Sequence, residues 1–269
     1  MCERGRHVAS GALLSCREVT VRFGGVVALD SVSFDVPPKS IYGLIGPNGA
    51  GKTTLFNCLS RLYRYSSGDV LFKGDSITAR SSHQVAGLGI GRTFQNLAMF
   101  GSMSVERNIM VGAHCRSRAG FVATALRTPA ARREEERLVA STSEIIDYLR
   151  LRAFSHTLVA DLPFGVQKRV ELGRALASQP TLLLLDEPAA GLGHEELDEL
   201  GVLIRDIRDR LDITILLVEH HMTLVMSTCD RLAVLNFGRR IAEGGVAEVQ
   251  AHPDVIAAYL GEPANAKTA

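Results

Sequence analysis

The ordered pattern of the chain begins with alternation. Val19, Val21 and Phe23 share one side of an extended run and Glu18, Thr20 and Arg22 the other, which is the period of a β-strand. Gly24-Gly25 interrupts the run. A second one follows, with Val32, Phe34 and Val36 on one side, and ends at Pro37-Pro38, so the two predict an antiparallel pair. Ile41–Ile45 is short and wholly apolar, as a strand buried on both faces would be. A Gly-rich turn and a helix of about ten residues are expected after it, and residues 69–72 read as another short strand. From about residue 96 to 162 alternation vanishes and helical spacing takes over, with Val105 and Ile109 on one row and Val111 on a neighbouring one. Within this block residues 132–137, Arg-Arg-Glu-Glu-Glu-Arg, read as a solvated helix face. Strand signals return at 181–185, Thr214–Val218 and 232–235, separated by helical stretches, which predicts a parallel α/β core. Residues 246–260 are helical in pattern with a break at Pro253, and the tail beyond Glu262 is small and polar.

Composition narrows the function classes. The 269 residues are 46% hydrophobic and 22% charged, a globular profile of one or two domains. Thirty basic side chains oppose 29 acidic ones, and a net charge of +1 gives no general pull toward nucleic acid or an anionic membrane. Cys2, Cys16, Cys58, Cys115 and Cys229 are scattered without a CxxC pair, so they read as small apolar residues in a reducing compartment, not as a zinc or disulfide set. No run approaches the roughly 18 apolar residues of a membrane span. Residues 1–11 carry Arg4, Arg6 and His7 but no apolar core of a secretory signal, and are expected to form a frayed tail. Attachment to a membrane would therefore come through a partner.

The strongest chemical signal is Gly46-Pro47-Asn48-Gly49-Ala50-Gly51-Lys52-Thr53, which fits G-x-x-x-x-G-K-[ST] between a strand and a helix. Glycines let main-chain N–H groups converge on phosphate oxygens, and the helix N-terminus adds positive partial charge. Lys52 would reach the β- and γ-phosphates and Thr53 would offer its hydroxyl to Mg²⁺, with Thr54 in the same nucleotide-binding set. The second signal is Leu182-Leu183-Leu184-Leu185-Asp186-Glu187, an apolar strand ending in two carboxylates. The carboxyl end of a parallel strand is where α/β sheets bind ligands. Asp186 suits the shell of Mg²⁺, and Glu187 suits proton removal from the attacking water.

In order along the chain stand the phosphate loop, Arg92-Thr93-Phe94-Gln95-Asn96, the helical block, Leu162-Pro163-Phe164-Gly165-Val166-Gln167-Lys168-Arg169, Asp186-Glu187-Pro188 and Val218-Glu219-His220. This series resembles the ATP-binding subunit of an ABC transporter over roughly residues 13–262. Phe23-Gly24-Gly25, Gly91-Arg92-Thr93-Phe94-Gln95-Asn96, Glu187-Pro188-Ala189-Ala190-Gly191-Leu192 and Tyr259-Leu260-Gly261-Glu262 are similar to the branched-chain amino acid (LivG-type) group. The Tyr-Leu-Gly-Glu ending is shared with the lipopolysaccharide-export ATPase.

The resemblance implies an α/β P-loop NTPase core with a parallel sheet, an N-terminal antiparallel β subdomain and an α-helical insertion. Residues 1–12 and 263–269 would be tails around one ATPase domain, with the helical subdomain at about 96–162 and a C-terminal helical element at about 246–262. It implies ATP and Mg²⁺ as ligands, and hydrolysis that powers import of branched-chain amino acids. Gln95 matches the glutamine that touches Mg²⁺ or the lytic water. His220 matches the histidine that bonds the γ-phosphate, with His221 beside it as a surface residue. Phe23 matches the ring that stacks on adenine, its alternative being ordinary strand core. Leu162, Pro163, Phe164, Gly165, Val166 and Gln167 match the signature offered to a nucleotide on a second subunit.

Expected partners are two membrane-spanning permease subunits, a second paralogous ATPase subunit or another copy of this chain, and indirectly a solute-binding protein, with no nucleic acid. The place implied is the cytoplasmic face of the inner membrane, peripherally. Phe100 and Met103 lie where contacts with membrane subunits are expected. Three departures from the family pattern stand out: Pro163 where a serine donates to phosphate, Val166 in the signature, and Gly193 where a polar residue usually follows Gly-Leu. All affect the surface presented to a second subunit, so an asymmetric heterodimer is expected. Rival readings are a soluble ABC ATPase outside transport, a P-loop phosphotransferase, and the same machine with another cargo such as urea, amides or lipopolysaccharide.

Overall fold

A computed structural model describes residues 11–93, 99–116 and 129–260. The chain divides into two compact units, Met1–Ser82 with Leu200–Ala269, and His83–Glu199. Strands and helices are numbered below along the whole chain.

The first unit opens with β1 (Leu14–Phe23) and β2 (Val26–Val36), an antiparallel pair in which Leu14 faces Val36 and Phe23 faces Val26. β3 (Ile41–Ile45) leads into α1 (Lys52–Leu59). β4 (Ser67–Phe72) and β5 (Asp75–Ser76) complete an antiparallel sheet of order β2-β1-β4-β5. The expected alternation in β1 holds only in part. Register shifts fall between Cys16 and Val19 and again near Val21, and Glu18 takes φ 48°. Such bulges reset which side a residue faces. Val19 and Val21 are buried as expected, but Thr20 is buried too, its hydroxyl accepting the Ser31 N–H at 3.0 Å, and Phe23 lies 48% exposed.

The second unit begins at His83, within α2 (Ser82–Gly87), and includes β6 (Ile90–Arg92). It continues with α3 (Val105–Gly112), α4 (Pro129–Tyr148), α5 (Phe164–Ala177) and β7 (Leu182–Asp186), which is parallel to β6. α6 (His194–Leu211) starts here and its later turns belong to the first unit. α3 and α5 approach closely because both carry glycine at the contact. A Cβ on Gly112 would come within 1.9 Å of the Arg174 carbonyl, and one on Gly173 within 2.9 Å of Leu149. Val105 and Ile109 are fully buried there, while Val111, placed on a neighbouring row by its spacing, is exposed. Arg132, Arg133, Glu135, Glu136 and Arg137 face solvent along α4.

The first unit resumes with β8 (Thr214–Val218), α7 (Met222–Thr228), β9 (Arg231–Asn236), β10 (Arg239–Gly245), α8 (Val246–Gln250) and α9 (Pro253–Leu260). β3 runs parallel between β8 and β9, and β10 pairs antiparallel with β9. The expected parallel strands are present, and the sheet is mixed because the Phe237-Gly238 turn lets β10 fold straight back as a hairpin. Leu44, Leu216, Leu217 and Val234 are completely buried, each contributing up to roughly 1.5–3 kcal/mol of hydrophobic stabilisation. Cys16, Cys58 and Cys229 are free and buried, and burial pushes the Cys58 thiol pKa up to about 11 and that of Cys229 to about 12. Among the described residues, no helix is long and apolar enough to cross a membrane.

Candidate functional site

The phosphate loop lies between β3 and α1 in the first unit. Gly46 takes φ 150° and Gly51 φ 101°, and side chains there would collide with backbone: a Cβ on Gly46 would sit 2.1 Å from the Leu235 carbonyl oxygen, one on Gly51 2.7 Å from that of Ala28. The loop is further held by the Gly238 N–H donating to the Ala50 carbonyl at 3.0 Å. Lys52 is buried and folds back on the loop, its Nζ donating to the carbonyls of Gly46 at 2.7 Å and Pro47 at 3.0 Å. A buried ammonium held by main-chain carbonyls is a pre-aimed positive charge. Thr53 is exposed on the first turn of α1 and Thr54 half-buried beside it. Tyr259 of α9 comes near the Gly46 main chain, and burial pushes its hydroxyl pKa up. The ending Tyr259-Leu260-Gly261-Glu262 thus brings one residue to the loop, a role its sequence does not reveal; Gly261 and Glu262 lie outside the described residues.

The histidine predicted at the end of β8 is in the same unit. Glu219 is fully buried and its Oε2 accepts the main-chain N–H groups of His220 at 3.0 Å and His221 at 3.3 Å. His221 Nδ1 lies 3.2 Å from the same oxygen, and His220 Nδ1 3.8 Å. The two rings stand 4.3 Å apart. His220 has the more exposed ring of the pair, and the His221 ring, expected at the surface, is part-buried against the carboxylate. Phe23 presents its ring to solvent and packs edge-on against Tyr63 at 5.5 Å, which removes the strand-core alternative for it.

The acidic pair belongs to the second unit. Asp186 closes β7 and is buried; its N–H donates to Thr93 Oγ1 at 3.3 Å and its Oδ2 receives Arg92 Nη2 at 2.9 Å. Glu187 follows with φ 48°, a left-handed conformation that costs a non-glycine residue about 1–3 kcal/mol. It turns the chain out of the strand, and half-buries the carboxylate instead of enclosing it. Gln95 lies outside the described residues.

The signature residues surround the start of α5. Leu162 is buried, Pro163 is the N-cap residue and Phe164 is exposed. Pro163 accepts the N–H groups of Val166 and Gln167, each at 3.0 Å, and Gln167 Nε2 donates to the Leu162 carbonyl at 2.9 Å. Proline suits a helix start because its φ is pre-set, but it brings no hydroxyl. The first N–H groups of α5 remain as donors. Glu196 Oε2 accepts the Gly193 N–H at 2.9 Å, and its Oε1 would lie 2.3 Å from a Cβ on Gly165. Gly193 therefore caps α6 through a side chain of the next turn, half of a capping box.

Residues 29–190 match the family described as ABC transporter, and residues 239–265 that described as branched-chain amino acid ATP-binding cassette transporter. The chain is 39% identical over 253 residues to the high-affinity branched-chain amino acid transport ATP-binding protein BraF of Pseudomonas aeruginosa, covering 94% of this chain and 99% of that protein. Identity and coverage are the same for LivG of Escherichia coli. Among solved structures, a nucleotide-free ATP-binding cassette from an ABC transporter superposes with TM-score 0.81 at 29% identity, covering 93% of this chain and 100% of that one. The ADP conformation of such a cassette gives 0.81 at 30% identity, covering 93% and 99%. Sequence, fold and loop geometry agree: the chain belongs to the ATP-binding subunits of ABC transporters, in the group of the branched-chain amino acid transport ATP-binding proteins.

Proposed function

We propose that this chain hydrolyses ATP to drive import of branched-chain amino acids through membrane subunits that it engages peripherally at the cytoplasmic face of the inner membrane. The observation that carries the reading is the phosphate loop itself, with Lys52 Nζ buried among the carbonyls of Gly46 and Pro47. Lys52 and the loop N–H groups hold the β- and γ-phosphates. Phe23, exposed and supported by Tyr63, stacks on adenine. Thr53 and Asp186 supply hard oxygen donors, the chemistry that Mg²⁺ selects, and Gln95 adds an amide oxygen. When bound, Mg²⁺ neutralises charge on the phosphate oxygens. Glu187 takes a proton from the water whose oxygen attacks the γ-phosphorus as the bond to the bridging oxygen breaks. His220, its main chain held by Glu219, donates to the γ-phosphate.

Residues 162–167 serve a nucleotide held on a second ATPase subunit. Because Pro163 lacks the hydroxyl, that site is the weaker of two, which favours a paralogous partner over a second copy. Two permease subunits and, through them, a solute-binding protein complete the importer. The names of the relatives and the match over residues 239–265 support the cargo.

The test is phosphate release from MgATP by the assembled complex. Glu187→Gln is expected to keep ATP affinity while lowering release by about 10²–10⁴. Transfer of the phosphoryl group to a metabolite, or failure to retain ATP, would sink the reading. Uptake of labelled leucine by vesicles containing the complex tests the cargo; uptake of urea or amides instead, or lipopolysaccharide extraction, would replace it.

A further inference from the structure

Arg92 carries a role that the family resemblance leaves unassigned. It ends β6, a three-residue strand paired in parallel with β7, so that Arg92 stands opposite Leu184 and its side chain reaches the last residue of the neighbouring strand. There Nη2 meets Asp186 Oδ2 at 2.9 Å, with the two side chains 9% and 1% exposed. Thr93, the next residue, fixes the same strand end from the main chain: its N–H donates to the Leu184 carbonyl at 3.0 Å and its hydroxyl accepts the Asp186 N–H.

A buried carboxylate needs a compensating cation, and an arginine held this close supplies one. The proposed cation ligand Asp186 is thus already paired by the protein's own guanidinium. We propose that Arg92 is the resident counter-ion of Asp186, exchanged for Mg²⁺ when nucleotide and cation bind. The inference rests on the ATPase reading above. Its consequence follows from linkage: whatever stabilises the cation-free state lowers the apparent affinity for the cation by the same factor. Arg92 holds Asp186 in place in the resting chain and sets how much Mg²⁺ is needed to load the site. Lysine at this position would keep the charge but not the planar geometry.

The experiment uses the full chain and measures two quantities: the thermal midpoint with EDTA, with ADP plus EDTA and with MgADP, and the apparent Mg²⁺ affinity in the presence of ADP by calorimetry. The variants are Arg92→Met, which keeps length without charge, and Arg92→Lys. Arg92→Met is expected to lower the midpoint in EDTA, to show a larger further rise with MgADP than the wild type, and to tighten apparent Mg²⁺ affinity about 5–10-fold. Arg92→Lys is expected to fall between Arg92→Met and the wild type on both readings. A variant destabilised equally in all three conditions, with unchanged Mg²⁺ affinity, would make Arg92 a purely structural partner and overturn the proposal. If Arg92→Met does not fold, Arg92→Lys alone decides it, since Mg²⁺ affinity indistinguishable from wild type there would also overturn the exchange. A wild-type chain that gains nothing from MgADP over ADP plus EDTA would instead bring down the nucleotide reading beneath it, and this arm is separate from the variants.

Discussion

The phosphate loop and the signature turn are both helix N-termini, yet they are built in opposite ways. Around the loop, main chain meets main chain: a Cβ on Gly46 would lie 2.1 Å from the Leu235 carbonyl, and Lys52 is fixed by two carbonyls. At the signature, Pro163 starts the helix through its carbonyl, with no side-chain cap, and the contact nearest a Cβ on Gly165 is the end of the Glu196 side chain, which can move. The loop is a rigid cradle finished within its own unit. The signature, on the reading proposed above, is a surface completed by a second subunit. Rigidity belongs where charge must be aimed before the ligand arrives, and slack is tolerable where a partner supplies the final fit.

Several changes would break or sharpen this contrast. Lys52→Ala should have the largest effect, lowering nucleotide-dependent phosphate release by at least about a hundredfold, because the aimed charge is lost; fluorescent-ATP titration and phosphate assay check it. Next, the two glycines should respond unequally. Gly46→Ala should cost about 3 kcal/mol in urea unfolding, from strained φ and a backbone clash, whereas Gly165→Ala should cost under about 1 kcal/mol once Glu196 rotates away. Equal costs would mean that the signature is as rigid as the loop.

Pro163→Ser should raise turnover of the assembled complex, since a hydrogen bond to a charged phosphate is worth about 1.5–3 kcal/mol. No gain would indicate that the first N–H groups of α5 already suffice. Asymmetry itself is tested by placing Glu187→Gln here and the matching change in the partner, where equal losses of turnover would count against it.

The smallest effect concerns pH. Burial raises the thiol pKa of Cys58, on α1, from 9.0 to about 11, and that of Cys229 from 9.0 to about 12. The fold favours the protonated thiols, so their contribution is complete below pH 9.0 and fades as pH rises through about 11–12. Hydrogen exchange should therefore accelerate in α1 before α5 as the solution is made alkaline.

Much of this was legible beforehand for a local reason. The phosphate loop, Asp186-Glu187 and the strands at 41–45, 182–186 and 214–218 are contiguous in sequence, and their residue types follow from burial on both faces or from the phosphate geometry. β6 was not legible, because three residues are too few to show a period, and neither was β10, whose arginines and glycines mask a strand stabilised by its hairpin. Spacing sets Phe23 on the side of Val19 and Val21 and leaves open whether it is strand core, but β1 carries register shifts and Phe23 lies exposed at its end; Val111, on a row beside Val105 and Ile109, is exposed too. The pairing of Arg92 with Asp186 joins positions 94 residues apart, and no periodicity encodes it.

What the amino-acid order settled alone was chemistry: a lysine, a hydroxyl and two carboxylates at the ends of apolar strands, because phosphate and a hard cation admit few alternatives. Tertiary structure decided which of those charges was neutralised and by whom. The compensation of a buried ion depends on distance through space, and distance along the chain does not report it.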